Sequence, residues 1–144
     1  MSTLSVSELK KALVANGFEV YRTIGDLVIV AERVRDNLIM DSNVAAGAGN
    51  SLSVRFVVRT QGNDFPSESE TQLFARARNL AKACDGRGYR EVDTTIVPIR
   101  DPGDPTRTLD TWYEVAFVKD VRSLDELLAE LGYALSLEKT VTRS

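Results

Sequence analysis

The chain has 144 residues, 43% of them hydrophobic and 27% charged, with a formal net charge of −3 and no histidine. That length suits a single domain, able to bury roughly 70% of its unfolded surface without a metal or disulfide staple. The missing imidazole excludes Ser-His-Asp and Cys-His nucleophile activation and His-ligated zinc or iron, and the acidic balance weighs against nucleic acid, whose phosphates select basic faces.

The one cysteine, Cys84, closes no intrachain disulfide and makes no zinc site, which favours a reducing compartment. Met1 leads into Ser2 and Thr3 with neither a basic start nor an apolar run, so no signal peptide is expected. The longest apolar run, Leu27 to Ala31, is far short of the ~20 residues of a membrane span. A cytoplasmic protein with no membrane partner is expected.

Three segments share a helix-start formula: Ser5-Val6-Ser7-Glu8, Ser67-Glu68-Ser69-Glu70 and Ser123-Leu124-Asp125-Glu126. In each, the serine can accept from the third helical amide while the glutamate reaches back to the cap amide. The first helix is expected from Val6 to Asn16, with Val6, Leu9, Ala12 and Leu13 on one stripe. Gly17 then stops it, and Phe18 folds back on the last turn. Strand alternation follows from Phe18 to Ile24. After the Gly25-Asp26 turn, Leu27 to Ala31 is apolar on both faces, as in a central strand. Leu38 to Met40 extend the sheet after a bend, and Asp41 to Asn50 read as a loop.

The clearest strand sends Leu52, Val54, Phe56 and Val58 one way and Ser53, Arg55, Val57 and Arg59 the other. Gln61 to Pro66 is a loop. The middle helix, Glu68 to Cys84, carries the stripe Leu73, Phe74, Ala77, Leu80, Ala81 and Cys84. Strands are expected at Tyr89–Ile99 and Thr111–Val118, joined by a long mobile loop, Arg100 to Asp110. The last helix runs from Leu124 to Gly132. The tail, 133–144, can pair with a sheet edge, continue as helix or stay loose. The order is helix, three strands, helix, two strands, helix. It implies one α+β domain: an antiparallel sheet of about five strands roofed on one side by three helices, in two layers.

Chemistry-bearing motifs are few. Gly47-Ala48-Gly49-Asn50 lacks the third glycine and the following helix of a dinucleotide site. Asp101, Asp104 and Asp110 lack calcium-loop spacing. Cys84 lies on an apolar stripe, where a buried, inert thiol is the default. No catalytic residue, metal or cofactor is expected. Arg55 and Arg59 share a strand face. If Trp112, Glu114, Ala116 and Val118 form the matching face of the last strand, then Tyr113, Val115 and Phe117 are core. Arg55, Arg59, Trp112, Glu114 and Val118 are therefore the candidate partner-binding residues, since Trp and Arg are common interface anchors. The plainer alternative is an exposed sheet face with cross-strand Arg–Glu pairs of ~0.2–1 kcal/mol.

The element order resembles that of the class I type III secretion chaperones and their relatives, and no residue motif carries the likeness. The resemblance implies a small bacterial cytoplasmic protein, often a homodimer, that binds extended segments of other proteins without a cofactor. A non-enzymatic, chaperone-like or adaptor module is the first expectation, with another protein as partner. The second is a small-molecule binding or enzymatic domain, with Arg55 or Arg59 holding an anionic ligand in a pocket framed by 41–50 and 100–110. The third is an immunity or defence partner, since an acidic protein can cap a basic enzyme.

Overall fold

The computed structural model describes residues 4–49, 51–84 and 86–143. The elements are α1 (Val6–Ala15), β1 (Val20–Ile24), β2 (Leu27–Arg35), β3 (Leu38–Gly47), β4 (Leu52–Gln61), α2 (Glu70–Leu80), β5 (Arg90–Asp101), β6 (Asp104–Val121) and α3 (Leu124–Arg143). Short 3-10 turns occupy Gly62–Asp64 and Ala81–Cys84. The fold is α+β, with three helices and a six-stranded antiparallel sheet in the order β1-β2-β3-β4-β6-β5. Four strands, not three, separate the first two helices. The chain divides into two compact units: Met1–Phe56 with Val118–Ser144, and Val57–Phe117. No described helix is long and apolar enough to cross a membrane.

In the first unit, α1 begins as the formula requires. The Glu8 amide donates to Ser5 Oγ (3.1 Å) and the Ser5 amide to Glu8 Oε1 (3.1 Å). The Ser5 amide holds the Glu8 carboxyl below the usual carboxylate range. The helix ends at Gly17 (φ +88°), where the Phe18 and Gly17 amides donate to the Leu13 and Val14 carbonyls. Leu9 and Leu13 are fully buried, and α1 packs on β1 and β2. On β2, Val28, Ile29, Val30 and Ala31 are all buried, the central-strand pattern expected from their run of apolar residues.

β3 corrects the loop expected at 41–50. Residues 41–47 are strand, and Asn50 lies outside the described residues. The alternation is disguised by a bulge. Asn43 takes a left-handed φ of +64°, its amide donates to Asp41 Oδ1 (2.7 Å), and the register with β2 slips between Ile29 and Ala31. Ser42, fully buried, is satisfied: its hydroxyl donates to the Val30 carbonyl (2.7 Å) and accepts from the Val44 amide (3.2 Å). The small residues of this segment belong to a strand and not to a turn. At Gly47 a Cβ would lie 2.1 Å from Ser53 Oγ, so its size answers to the neighbouring strand.

α3 packs on β3 and buries Leu127, Leu131 and Ala134. The Glu126 amide donates to Ser123 Oγ (3.1 Å), but the Glu126 carboxylate accepts from the Arg122 amide, one residue earlier than the formula predicts. Of the three readings for the tail, continued helix is the one found: α3 passes through Gly132 and reaches Arg143. Gly132 is exposed with open space where a Cβ would sit. Gly132→Ala is expected to stabilise the chain by roughly 0.5–1 kcal/mol, seen as a higher urea midpoint at unchanged slope.

In the second unit, α2 starts two residues later than expected. Ser69, not Ser67, is the cap, and it exchanges bonds with Gln72 (3.2 and 2.8 Å). The helix gives way to the 3-10 turn at Ala81, and Cys84 is 3% exposed, as its place on the apolar stripe suggested. The segment 100–110 is not a long loop. β5 and β6 continue through it, and Asp101-Pro102-Gly103-Asp104 makes a tight hairpin turn in which the Gly103 amide donates to Asp101 Oδ1 (2.9 Å). Pro102, Gly103 and two aspartates are turn chemistry concentrated in four positions. The remaining polar residues are strand because both faces of that ribbon are solvated; nearly all of 91–109 is exposed.

On β6, Val115 is buried as expected, but Tyr113 and Phe117 are only half-buried and Ala116 is 5% exposed. Tyr113 meets Phe74 of α2 edge-on at 5.4 Å. Thr60 of β4 is 4% exposed, and its hydroxyl has no hydrogen-bond partner among the described residues. Thr60→Val keeps the shape and removes the stranded hydroxyl. It is expected to stabilise by about 1 kcal/mol in urea unfolding.

Candidate functional site

Of the five candidate residues, Arg59, Trp112 and Glu114 come together in the second unit. Arg55 and Val118 belong to the first. The alternation of β4 places Arg59 opposite the buried face of Val58 and Thr60. From there Arg59 donates from Nε (2.8 Å) and Nη2 (2.5 Å) to Glu114 Oε2. Its guanidinium also lies over the Trp112 ring, 4.0 Å from the centroid. The pair is partly sheltered, with side chains 27% and 19% exposed. A cross-strand ion pair contributes ~0.2–1 kcal/mol and a partly desolvated cation–π contact about 1 kcal/mol. Arg55 stands opposite Ala45 in the β3–β4 ladder, half-buried, and no hydrogen bond or ion pair reaches its side chain among the described residues. Val118 is half-buried.

The hub of the cluster is Asp110, expected in a mobile loop but found on β6. Its Oδ2 accepts from the Trp112 indole N–H (3.1 Å), and its Oδ1 accepts from the amides of Asn63 (3.0 Å) and Thr111 (2.7 Å). The Asn63 side chain returns a bond to the Leu109 carbonyl (2.7 Å). Two bonds therefore lock the Gly62–Asp64 turn to β6, and the same carboxylate fixes the indole.

Beside Asp110 opens a cleft of about 350 Å³. Leu73, Tyr113, Phe65 and Leu109 supply its apolar surface, and Leu109 is 43% exposed. Asn63, Glu68 and Asp110 supply polar groups; the lining holds two carboxylates and no Lys or Arg. The wall is braced from α2, where Arg76 Nε donates to both Glu68 oxygens (2.9 and 2.7 Å) and the guanidinium covers the Phe65 ring at 3.7 Å. Farther along α2, Arg78 binds Glu91 of β5 (2.7 and 3.1 Å), and that guanidinium holds the Glu91 carboxyl below the usual range.

This site differs from the pocket framed by 41–50 and 100–110. Its walls are 62–68 and 108–113. Asp101 and Asp104 serve their own turn, and no group of three or more metal-ligating side chains forms among the described residues. Sequence reasoning missed Asn63, Phe65, Glu68, Arg76 and Asp110. One signal was available for Asp110: it stands two residues before Trp112, on the same face of a strand. Nothing in the sequence marked Asn63, which is 47 positions away from Asp110. Compared with known protein families, with curated proteins and with solved structures, the chain matches none.

Proposed function

We propose that this chain is a non-enzymatic interaction module that binds a segment of another protein at the Asp110 cleft. The fixed Trp112–Arg59–Glu114 face serves as the neighbouring anchor. One observation carries the reading: Asp110 bonds both to a half-buried tryptophan and to the turn that walls the cleft, and so orders the two together. Pre-ordered aromatic and arginine groups lose little conformational freedom on binding, which is why they anchor interfaces. A cleft that sets Leu73, Phe65 and Leu109 beside two carboxylates, Asp110 and the Arg76-paired Glu68, with no Lys or Arg in its lining, suits an apolar side chain adjoining a lysine or arginine. A chaperone-like or adaptor role fits such a site, as does the capping of a basic partner by an acidic chain. An anionic ligand held by Arg59 is less favoured, since Glu114 already occupies that guanidinium.

The test is retention on immobilised chain from an extract of its own cells. A stoichiometric protein should be retained by the wild type and lost with both Trp112→Ala and Leu109→Glu. Equal retention by all three, or none by any, counts against the proposal.

A further inference from the structure

β5 ends the strand order, so among the described residues one side of its backbone pairs with no strand. Exposed edges invite another strand unless charge, proline or shortness blunts them. β5 is 12 residues long, and from Val92 to Val97 its only charge is Asp93. Val92 and Ile96 are 43% and 44% exposed. Pro98 donates no hydrogen bond, and proline within a sheet sits where its nitrogen faces away from the ladder. The amides of Val92, Thr94 and Ile96, which alternate with it, therefore point outward.

We propose that a second copy of this chain pairs antiparallel with β5 about a two-fold axis at Thr94. The charge pattern selects that register. A two-fold axis normal to the sheet sets one residue opposite its own copy and fixes all other pairs. Centring on Arg90, Glu91, Asp93 or Arg100 sets a charge against itself, and centring on Val92 sets Glu91 against Asp93. Centring on Thr95 opposes Arg90 to Arg100; on Ile96, Glu91 to Asp101; on Val97, Asp93 to Asp101. Like charges directly opposite are destabilising. Centring on Pro98 strips donors from the middle of the ladder, and centring beyond it leaves little overlap. Centring on Thr94 opposes no like charges. It places Val92 opposite the partner's Ile96 and Ile96 opposite the partner's Val92, so each exposed aliphatic side chain covers another. The outward amides of Val92, Thr94 and Ile96 fall in the paired stretch, and Pro98 lies at its end, opposite Arg90.

The paired stretch is short, so the dimer is weak, with a Kd on the order of 100 µM. The proposal is independent of the Asp110 cleft. Sedimentation equilibrium of the full chain from about 10 µM to about 1 mM, a range that brackets such a Kd, should show a monomer–dimer equilibrium. Ile96→Lys, at an exposed position, should weaken it by at least about 10-fold, by replacing two apolar pairs, with unchanged thermal unfolding. Under mild oxidation Thr94→Cys should cross-link to its own copy faster than Ile96→Cys, because only the former lies on the axis, with Cα atoms roughly 5.5 Å apart. A monomer throughout, a dimer indifferent to Ile96→Lys, or faster cross-linking by Ile96→Cys would each overturn the proposal.

Discussion

Lys119→Met is expected to lower the unfolding free energy by about 3 kcal/mol, a large share of the 5–15 kcal/mol typical of a folded domain. The Lys119 ammonium lies 3.0 Å from Glu130 Oε1 in the first unit, and the Glu130 side chain is only 7% exposed. Removing the cation leaves a carboxylate that has little water to turn to. The cost is a buried carboxylate deprived of the Lys119 cation, more than the lost attraction, and this makes a sharp secondary expectation. Adding Glu130→Leu to Lys119→Met should recover most of the loss, because a buried pair replaced by apolar groups is often neutral or better. Urea unfolding of both variants checks this. A double variant no more stable than the single one would mean that the pair contributes by geometry instead.

Gly62→Val should be nearly as damaging, and it bears on the site. A Cβ at Gly62 would lie 2.9 Å from the Thr111 carbonyl oxygen and 3.4 Å from the Tyr113 ring. The closer obstacle is backbone, which has no rotamer to escape into. The Gly62–Asp64 turn must move, and with it the Asn63 bonds to Asp110 and Leu109. Overpacking and two lost bonds together are expected to cost about 2–3 kcal/mol. Trp112 is the one tryptophan of the chain, so its emission reports on the same event. A red-shifted spectrum in the folded variant is the expected result; an unchanged spectrum with unchanged stability would show that the turn tolerates a side chain.

The sequence was legible where the physics is local. Ser5 with Glu8, the Gly17 stop, the apolar run of β2 and the alternation of β4 each depend on neighbours a few positions away. The alternation also foretold the Arg59–Glu114 pair, once Trp112 and Glu114 were assigned to one face. What was hidden depends on partners distant in the chain. Residues 41–47 are strand because β2 pairs with them on one side and β4 on the other, and the Asn43 bulge breaks the period that would reveal a strand. Gly132 is tolerated inside α3 because Leu127, Leu131 and Ala134 are buried around it, a tertiary gain that outweighs glycine's ~1 kcal/mol penalty. Asp110 follows a cluster of turn residues that masks its place on β6. Its role rests on Asn63, brought close by the sheet and by nothing in the local sequence.

The most direct test of the proposed site uses Trp112 emission in a titration with matched peptides free of aromatic residues, one alternating leucine with lysine and the other leucine with glutamate. The account predicts a saturable change in Trp112 emission with the lysine peptide, at least about 10-fold tighter than with the glutamate peptide and abolished by Leu109→Glu. Equal response to both peptides, or none to either at millimolar concentration, would contradict it.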